Sequence, residues 1–450
     1  MRGRSLLLDL YELTMAASYF ARKVKLEATF DLFVRNLPHN RSFLVACGLQ
    51  KAIRFLEDFS FGPSDIDFLK KKAIFKDDFL DYLKGLRFTG SVYALPEGTV
   101  FFPNEPILRV SAPILEAQIM ESYLLNTINV ATTLCSKASR VVLAAGERGV
   151  YDFSLRRTQG CSAALAASRS SYIAGCSGTS NALGSALYGI PAVGTMAHSF
   201  VMSFKSELES FRAYASTFPD NTTLLVDTYS YATGIDNAIT VGRELALKGY
   251  RLKAIRLDSG DLVKISRLAR VMLDKAGLSC VNIFASGNLD EYKIEKLIGK
   301  GARIDSFGVG TNMGVSSDAP YLDVIYKLSQ IDDARSGAQP VMKLSEDKIT
   351  YPGKKQVFRV CDKKGFYGKD IIGLEGEAVK GEPLMVNVME KGKIKSPLPS
   401  LDKIRDFARN NISLLPARYK KLTQAESYPV SLSKGLSRLI AKVRSRAIAS

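Results

Sequence analysis

Between about residues 150 and 312, short apolar runs rich in β-branched residues alternate with longer segments of helical periodicity. This alternation constrains the fold more than any other feature, because it is typical of a parallel sheet whose strands are joined by helices. The predicted strands are GVYDF (149–153), IPAVGT (190–195), TLLVDT (223–228), KAIRLD (253–258), VNIFAS (281–286) and RIDSFGV (303–309). The predicted fold class is α/β, with an irregular (β/α) barrel at its centre.

The segments on either side of this ladder have a different character. Residues 1–110 and 341–400 mix β-rich, turn-rich and helical stretches, and no linker composition separates them from the barrel. We therefore expect both flanks to combine into a second, α+β domain. The predicted segments are 1–115 and 341–425 for the two parts of this flanking domain, 116–340 for the barrel, and 426–450 for a basic helical tail.

The net charge of +17 on 450 residues raises the question of nucleic-acid or membrane binding. Residues 401–450 alone hold eleven Lys or Arg and three Asp or Glu, a local charge of +8. Leu436, Leu439, Ile440 and Val443 fall at helical spacing among these basic residues. A solvated basic helix is favoured over a nucleic-acid or membrane-binding arm. The remaining positive charge suits anionic small substrates.

Cysteine and histidine usage gives no sign of a metal centre. The six cysteines form no Cys-x-x-Cys pair, and the chain has only two histidines. Asp9 and Glu12 interrupt the N-terminal apolar run, so it does not resemble a signal peptide, and no apolar run reaches the roughly 18 residues of a membrane span. We expect a cytoplasmic protein with reduced thiols.

Polar residues or glycines follow nearly every predicted strand. They are Asp152 and Phe153 leading to Arg156, Thr195 leading to His198, Asp227 with Thr228, Arg256 with Asp258, Ser286 with Gly287, and Gly308 to Thr311. Because the carboxyl ends of parallel strands meet at one face, these segments are predicted to form one polar pocket. A single such residue is usually a helix N-cap, but six in succession favour a site.

The last two strands are followed by loops that suit an anion. ASGNLDEY (285–292) and SFGVGTNM (306–313) place glycine and small hydroxyl residues where backbone N–H groups can approach phosphate. Turns use glycine freely, so one such loop alone would mean little. Two in adjacent positions predict a phosphorylated substrate, with Ser286, Gly287, Gly308, Gly310 and Thr311 as candidate contacts.

His198 is one of only two histidines and the more informative one. It lies between a strand end and an amphipathic helix, where a helix N-terminus favours the neutral imidazole that acts as a base or nucleophile. A capping histidine held by local hydrogen bonds is the equal alternative. His39 lies in a turn-like stretch and is interpreted as a surface residue.

Several other side chains are candidates for substrate contacts. Arg256 and Asp258 alternate on one strand, so they point the same way and suit an anionic substituent and a ribose or metal-bound pyrophosphate; a structural salt bridge is the alternative. The doublet at Arg156 suits phosphate or carboxylate, or equally a solvated helix start. Phe153 and Tyr11 are candidates for stacking on a flat ring, although most aromatic residues fill cores.

Taken together, eight motifs resemble those of the nicotinate phosphoribosyltransferase family, in order and over the chain to about residue 420. The motifs are DLYELTM (9–15), FDLFVRNLP (30–38), DFSLRRTQG (152–160), GTSNALG (178–184), GTMAHSF (194–200), AIRLDSGD (254–261), FASGNLDEY (284–292) and DSFGVGTNM (305–313). The resemblance implies transfer of the ribosyl phosphate of phosphoribosyl pyrophosphate to nicotinate, coupled to ATP, in NAD salvage. The basic tail beyond about residue 425 finds no counterpart.

The resemblance also implies a role for each matching position. Tyr11, offered by the neighbouring subunit of a homodimer, and Phe153 would hold the pyridine ring. His198 would be phosphorylated by ATP. The other implied contacts are Thr195, Arg256 and Ser180 to nicotinate, Arg156 to substrate, Asp9, Asp227 and Asp258 near the ribose and the magnesium-bound pyrophosphate, and Ser286, Gly287, Gly308, Gly310 and Thr311 to the 5′-phosphate. Mg²⁺, through Asp227 and Asp258, is the implied metal, and His198, Asp258, Arg256 and Asp227 are the implied catalytic residues.

Two positions depart from the family pattern, and three rival functions remain. Leu8 stands where the family usually has threonine, and Ser154 where it has glycine. If that glycine is needed for a positive φ or for close approach of the substrate, Ser154 would cost substrate affinity or shift a loop. Nicotinamide phosphoribosyltransferase is the nearest rival, but it has aspartate where this chain has Ser180. Quinolinate phosphoribosyltransferase lacks the histidine motif. A catalytically idle, basic binding protein that keeps the barrel is the alternative from another class.

Overall fold

The structure, a computed structural model, describes residues 4–345 and 350–449. The chain divides into a flanking unit, Met1–Thr133 with Tyr321–Ser450, and a central unit, Leu134–Pro320. The flanking unit therefore draws on both ends of the chain. Its boundaries differ from the expected cuts at 115 and 340. Residues 116–133, which include the first part of a long helix over 121–145, belong to the flanking unit, and a strand of the flanking sheet spans 324–333 before the second cut.

Residues 10–145 form six α-helices and five strands. They are α1 (Leu10–Ala21), β1 (Glu27–Val34), β2 (Leu44–Val45), α2 (Leu49–Glu57), α3 (Pro63–Lys71), α4 (Asp77–Gly85), β3 (Ser91–Ala94), β4 (Val100–Phe101), β5 (Pro106–Pro113), α5 (Ile114–Ile119) and α6 (Glu121–Ala145). Residues 114–145 thus form two helices that part at Met120.

The central stretch alternates strands and helices, as the sequence predicts. Its elements are β6 (Gly149–Asp152), α7 (Cys161–Ile173), β7 (Gly178–Thr179), α8 (Ala182–Tyr188), α9 (His198–Met202), α10 (Glu207–Thr217), β8 (Thr223–Leu225), α11 (Tyr231–Leu247), β9 (Ala254–Leu257), α12 (Leu262–Lys275), β10 (Asn282–Ala285), α13 (Glu291–Gly299), β11 (Ser306–Val309) and α14 (Thr311–Gly314).

The last stretch returns to the flanking unit. Its elements are β12 (Val324–Asp333), β13 (Gly337–Pro340), β14 (Lys355–Cys361), β15 (Tyr367–Leu374), β16 (Glu382–Pro383), β17 (Val386–Glu390), β18 (Lys393–Ile394), α15 (Leu401–Leu414), β19 (Val430–Leu432) and α16 (Lys434–Ala449). None of the helices in 4–345 and 350–449 is both long and apolar enough to cross a membrane.

A parallel sheet of order β7-β6-β11-β10-β9-β8 forms the centre of the central unit. It is a curled half-barrel, in partial agreement with the irregular barrel expected from the sequence: among the described residues its edge strands β7 and β8 do not pair. The strand expected over 190–195 also does not form. Pro191 lacks the N–H that a ladder needs, and only Ala192 bridges to Thr179 at the sheet edge.

The helices of the central unit are amphipathic, which is why they cover the sheet. In α12, Leu262, Ile265, Ala269 and Leu273 are buried at spacings of three and four residues. Asp261 begins this helix, since its side chain accepts hydrogen bonds from the backbone N–H groups of two residues in the first turn. Helix α12 thus begins a few residues after the strand that carries Arg256.

The flanking unit is built on an antiparallel sheet of order β13-β12-β1-β5-β3-β17-β18. β1 lies inside it, paired with β12 and β5, and seven of its eight residues are buried. A second sheet has the order β16-β14-β15-β19. This arrangement agrees with an α+β domain made from both ends of the chain.

Residues 426–450 do not form the solvated basic tail that composition suggests. β19 pairs with β15 in the second sheet of the flanking unit, and Tyr428 and Leu436 are buried. The Tyr428 hydroxyl donates to Asp370 Oδ1 at 3.1 Å. Apolar residues at helical spacing in α16 therefore serve packing, and the basic residues occupy the remaining face of the helix.

Candidate active site

Arg256 is the centre of a polar cluster at the carboxyl end of the central sheet. From β9 its Nε donates to Ser286 Oγ at 2.8 Å and its Nη2 to Asp258 Oδ1 at 2.6 Å. Its Nη1 donates to Thr195 Oγ1 at 3.1 Å and to the carbonyl of Met196 at 3.3 Å. These four bonds leave one of the five guanidinium N–H groups for a ligand. The strand-end residues of three separate segments are thus brought together.

Asp258 is held as an ionised carboxylate inside this cluster. Its Oδ1 accepts hydrogen bonds from both Arg256 and Ser286. Burial raises the pKa of Asp258, but the hydrogen bond from Ser286 and the charge of Arg256 outweigh it, and the pKa lies below its ordinary value. Arg256 and Asp258 therefore form a salt bridge within the candidate site. The two interpretations of this pair, substrate contact and structural salt bridge, do not exclude each other.

An aromatic face borders the cluster. The guanidinium carbon of Arg256 lies 5.5 Å from the ring centroid of Phe153, whose ring lies 5.5 Å from that of Phe284. A Cβ on Gly308 would lie within 2.8 Å of the Phe153 ring and 2.9 Å of the Phe284 ring. Gly308, expected in the phosphate cradle, is thus glycine because it makes room for these two rings.

The residues on either side of Phe153 are fixed by a buried carboxylate. Asp152 accepts hydrogen bonds from the backbone N–H of Ser154 at 3.0 Å, from its hydroxyl, and from the hydroxyls of Ser168 and Thr179 at 3.2 and 2.8 Å. Ser154 has a φ of −90°, so this position does not need glycine for its backbone. A positive φ is therefore not a reason for glycine at this position, and the serine is buried and hydrogen-bonded to Asp152.

His198 is the first residue of α9, and Ala197 is the N-cap. Its Nδ1 lies 3.1 Å from Thr228 Oγ1, and its Nε2 lies 3.9 Å from Asp258 Oδ2. The His198 side chain is 41% exposed, so the ring is held by Thr228 and still open to solvent. Sequence reasoning noted Thr228 at a strand end but gave it no role, since only the fold shows that it reaches the histidine.

Asp227 lies at the end of β8 and is partly committed to the backbone around Asp258. Its Oδ2 accepts hydrogen bonds from the N–H of Asp258 at 2.8 Å and from the Ser259 hydroxyl at 2.7 Å. Its Oδ1 is buried without a hydrogen-bond partner in the described part of the chain. Such an orphaned acceptor is costly unless a cation or donor satisfies it. Ser259 was not singled out from the sequence, since its pattern is that of an ordinary turn.

Two loops follow the last strands of the sheet, residues 286–290 after β10 and residues 310–318 after β11. Gly287 has a φ of +95°, and a Cβ there would lie 1.9 Å from the carbonyl oxygen of Asp258. Only glycine lets this loop come so close to the β9 segment. Gly310 precedes α14, where Thr311 is the first, exposed residue.

Two other predicted residues of the central unit, Ser180 and Arg156, share no hydrogen bond with Arg256 in the described part of the chain. Ser180 is exposed, and its N–H donates to the Asp152 carbonyl at 2.8 Å, which places it beside the Phe153 segment. Arg156 is exposed in a short 3-10 helix, Leu155–Arg157, and makes no ion pair within the described chain. Asp9 and Tyr11 belong to the flanking unit. His39 is exposed there, in agreement with a surface role.

In the flanking unit, Asp9 begins α1 without using its carboxylate as a cap, and Tyr11 is 45% exposed. Burial and the hydrogen bond to Glu121 raise the pKa of Tyr11. The next residue, Glu12, is fully buried and accepts hydrogen bonds from the N–H and hydroxyl of Ser122. Burial raises the pKa of Glu12 to about 7. Helix α1 is therefore fastened to the start of α6 by carboxyl groups.

Comparison with known proteins matches nearly the whole chain to the domains of one family. The nicotinate phosphoribosyltransferase (NAPRTase) N-terminal domain matches residues 6–129, the family profile residues 148–360, and the C-terminal domain residues 377–440. The last match shows that the expected end of the likeness near residue 420 is wrong. β19 and the start of α16 are part of the matched family domain.

Individual relatives carry the same name. The nicotinate phosphoribosyltransferase of Mycobacterium tuberculosis is 46% identical over 442 residues, covering 98% of this chain and 94% of that protein. That of Bacillus subtilis is 37% identical and covers 96% and 93%. The crystal structure of human nicotinic acid phosphoribosyltransferase has a TM-score of 0.84 at 31% identity and covers 97% of this chain and 99% of that chain. On the strength of the family match and these relatives, the chain belongs to the nicotinate phosphoribosyltransferase family.

Proposed function

We propose that the chain transfers the phosphoribosyl group of phosphoribosyl pyrophosphate to the ring nitrogen of nicotinate, as a step of NAD salvage. The observation that carries the proposal is the cluster of Arg256, Thr195, Asp258 and Ser286 beside the Phe153 ring. It offers a cation for a carboxylate, a flat apolar face for a pyridine ring, and a carboxylate for a positively charged transition state. The names of the relatives support the same reaction.

Nicotinate would bind with its ring on Phe153 and its carboxylate toward Arg256 and Thr195. A neutral amide would gain less from Arg256, because a charge-assisted hydrogen bond is stronger than a neutral one. Ser180 would add a hydroxyl where nicotinamide-specific relatives are expected to carry aspartate. Tyr11 would cover the other face of the ring, from the neighbouring subunit of a homodimer.

Displacement at the anomeric carbon breaks the bond to pyrophosphate oxygen and forms the bond to the pyridine nitrogen. The ribose carries positive charge in between, and carboxylates already ionised and fixed in place stabilise it without reorganisation. Asp258, which is held by Arg256 and Ser286, would serve this purpose, and Asp227 and Asp9 would lie near the ribose. The enzyme would accelerate the reaction chiefly by holding the pyridine nitrogen in line with the anomeric carbon.

Magnesium fits this arrangement through the carboxylates of Asp227 and Asp258. The unpartnered Oδ1 of Asp227 and the hard oxygen donors match its ligand preference. No group of three or more acidic, cysteine or histidine residues placed to hold a metal occurs within 4–345 and 350–449. The ion would therefore arrive with the pyrophosphate, whose leaving charge it neutralises when bound.

The 5′-phosphate would lie against the loops at 286–290 and 310–318, through Ser286, Gly287, Gly310 and Thr311. The close approach of Gly287 to the Asp258 carbonyl brings the first loop to the β9 end of the site. Arg156, which is exposed, would add charge for a substrate phosphate. Gly308 would contribute through its packing against Phe153.

ATP would couple to the reaction through His198. In the tautomer whose Nδ1–H donates to Thr228 Oγ1, Nε2 would keep the lone pair that attacks the γ-phosphorus; the bond to the ADP oxygen would break and ADP would leave. Water later takes the phosphoryl group as inorganic phosphate. The chain would then be an ATP-coupled ligase, working in the cytoplasm.

The test is His198→Asn, which keeps size and one hydrogen bond. We expect the unchanged chain to form an acid-labile, base-stable phosphohistidine with ATP and magnesium, and the variant to make nicotinate mononucleotide slowly and without stimulation by ATP. Mass spectrometry under alkaline conditions locates the label. Label on another residue, or ATP stimulation of the variant, would refute the role of His198.

A further inference from the structure

A buried lysine joins the two loops that follow β10 and β11. Lys137 lies on α6, and its side chain is 1% exposed. Its Nζ donates to Glu291 Oε2 at 2.6 Å and to Asp318 Oδ1 at 2.7 Å. Glu291 directly follows the 286–290 loop, and Asp318 ends the 310–318 loop. Lys137 thus bridges Glu291, which follows the first loop, and Asp318, which ends the second.

A second contact joins the same loops nearer the site. Asn312 Nδ2 donates to Asn288 Oδ1 at 3.1 Å and to the Leu289 carbonyl at 3.2 Å. Asn288 and Ser316 both have a φ of +46°. A left-handed φ is uncommon for serine, whereas asparagine adopts it more readily. The two hydrogen bonds from Asn312 hold the loops against each other.

The cluster around Lys137 supplies geometry and little net charge. Arg140 Nε donates to the other oxygen of Glu291, at 3.1 Å, and Arg140 Nη2 donates to the Tyr292 hydroxyl. Two cations and two carboxylates balance, so the cluster does not itself attract a phosphate. A buried ion pair is a poor source of stability compared with apolar packing, whereas it fixes the groups that carry it.

We infer that Lys137 is a positioning residue for phosphoribosyl pyrophosphate, since it sets the spacing of the 286–290 and 310–318 loops and so the shape of the phosphate site. This inference rests on the proposed function, which assigns those loops to the 5′-phosphate. Lys137 touches the loops and acts on substrate only through them. Its loss should therefore affect the phosphorylated substrate more than the pyridine.

Asp318→Ala is the first variant, because the Asp318 side chain is 27% exposed and its removal leaves the buried pair of Lys137 and Glu291 intact. We expect the KM and the Kd for phosphoribosyl pyrophosphate to rise on the order of tenfold, as a small misplacement of binding groups allows. The KM for nicotinate should change little. Asp318→Asn, which keeps an oxygen acceptor for Lys137, should restore most of the affinity.

Two further variants complete the test. Lys137→Met removes the cation at similar length and should show the larger effect; Glu244→Gln breaks an exposed ion pair with Arg212 in the same unit and should change neither KM. Equal losses for both substrates, or no change in Asp318→Ala, would overturn the positioning role while the proposed function stands. An unchanged chain that fails to bind phosphoribosyl pyrophosphate in calorimetry would overturn both.

Discussion

Gly314 and Ser154 fit each other closely enough for a pair of substitutions to test the packing beneath the Phe153 segment. A Cβ on Gly314 would lie 2.1 Å from Ser154 Cβ and 2.5 Å from its Oγ. Gly314 lies in α14 and has no left-handed φ, so Gly314→Ala is opposed by steric overlap alone. Ser154 cannot retreat without breaking its bonds to Asp152.

The magnitudes follow from these contacts. Overpacking a close-packed interior costs about 1–3 kcal/mol. Ser154→Gly loses one buried hydrogen bond, worth about 1 kcal/mol, and adds about 0.4–1 kcal/mol of chain entropy to the unfolded state. In the double variant the alanine Cβ occupies the space that the serine vacates. We therefore expect the double variant to be more stable than the sum of the two losses by about 1–2 kcal/mol.

Urea denaturation followed by circular dichroism gives the free energy of unfolding of all four proteins. Gly299→Ala is the matched control, since its Cβ would meet nothing within 4 Å and it too ends a helix without a left-handed φ. That control should be neutral or slightly stabilising. Strict additivity of Gly314→Ala and Ser154→Gly would refute the argument that the serine is accommodated by the missing Cβ.

Three further outcomes are expected. Arg256→Ala should raise the KM for nicotinate by about tenfold or more, because it removes a charged hydrogen-bond donor, and an unchanged KM would make Arg256 purely structural. Deletion of residues 429–450 should lower the Tm, because it removes β19 and buried Leu436; an unchanged Tm would contradict their packing role. With the pKa of Glu12 raised to about 7, the folded chain binds more protons than the unfolded chain between pH of about 4.5 and 7, so stability falls as pH rises through this window. Glu12→Gln should thus raise the Tm near pH 8, with a gain that shrinks toward pH 5, and a gain independent of pH would contradict it.

The candidate site was largely predictable because its residues lie at strand ends. Arg256 lies in β9 and Asp258 directly follows that strand, so simple alternation points both the same way. Hydrogen bonds join Arg256 to Asp258, Ser286 and Thr195. The parallel sheet follows from the same alternation of apolar runs and amphipathic helices. Local periodicity is enough for both.

Long-range packing was not predictable. β7 has two residues, Gly178 and Thr179, too few for a periodic signal, and the stretch after Pro191 carries strand-like residues without an available ladder. The basic composition of residues 426–450 concealed that Leu436 is buried. The acceptance of serine at position 154 depends on Gly314, which is 160 residues away in sequence and adjacent only in the fold.

The proposed preference for nicotinate is most directly tested by letting three pyridine substrates compete in one reaction. Equal concentrations of nicotinate, nicotinamide and quinolinate are incubated with the unchanged chain, phosphoribosyl pyrophosphate, magnesium and ATP, and the products are separated by liquid chromatography with mass detection. We expect nicotinate mononucleotide as the main product, with one pyrophosphate released for each molecule formed. Preferential formation of nicotinamide mononucleotide, or no nucleotide product at all, would contradict it.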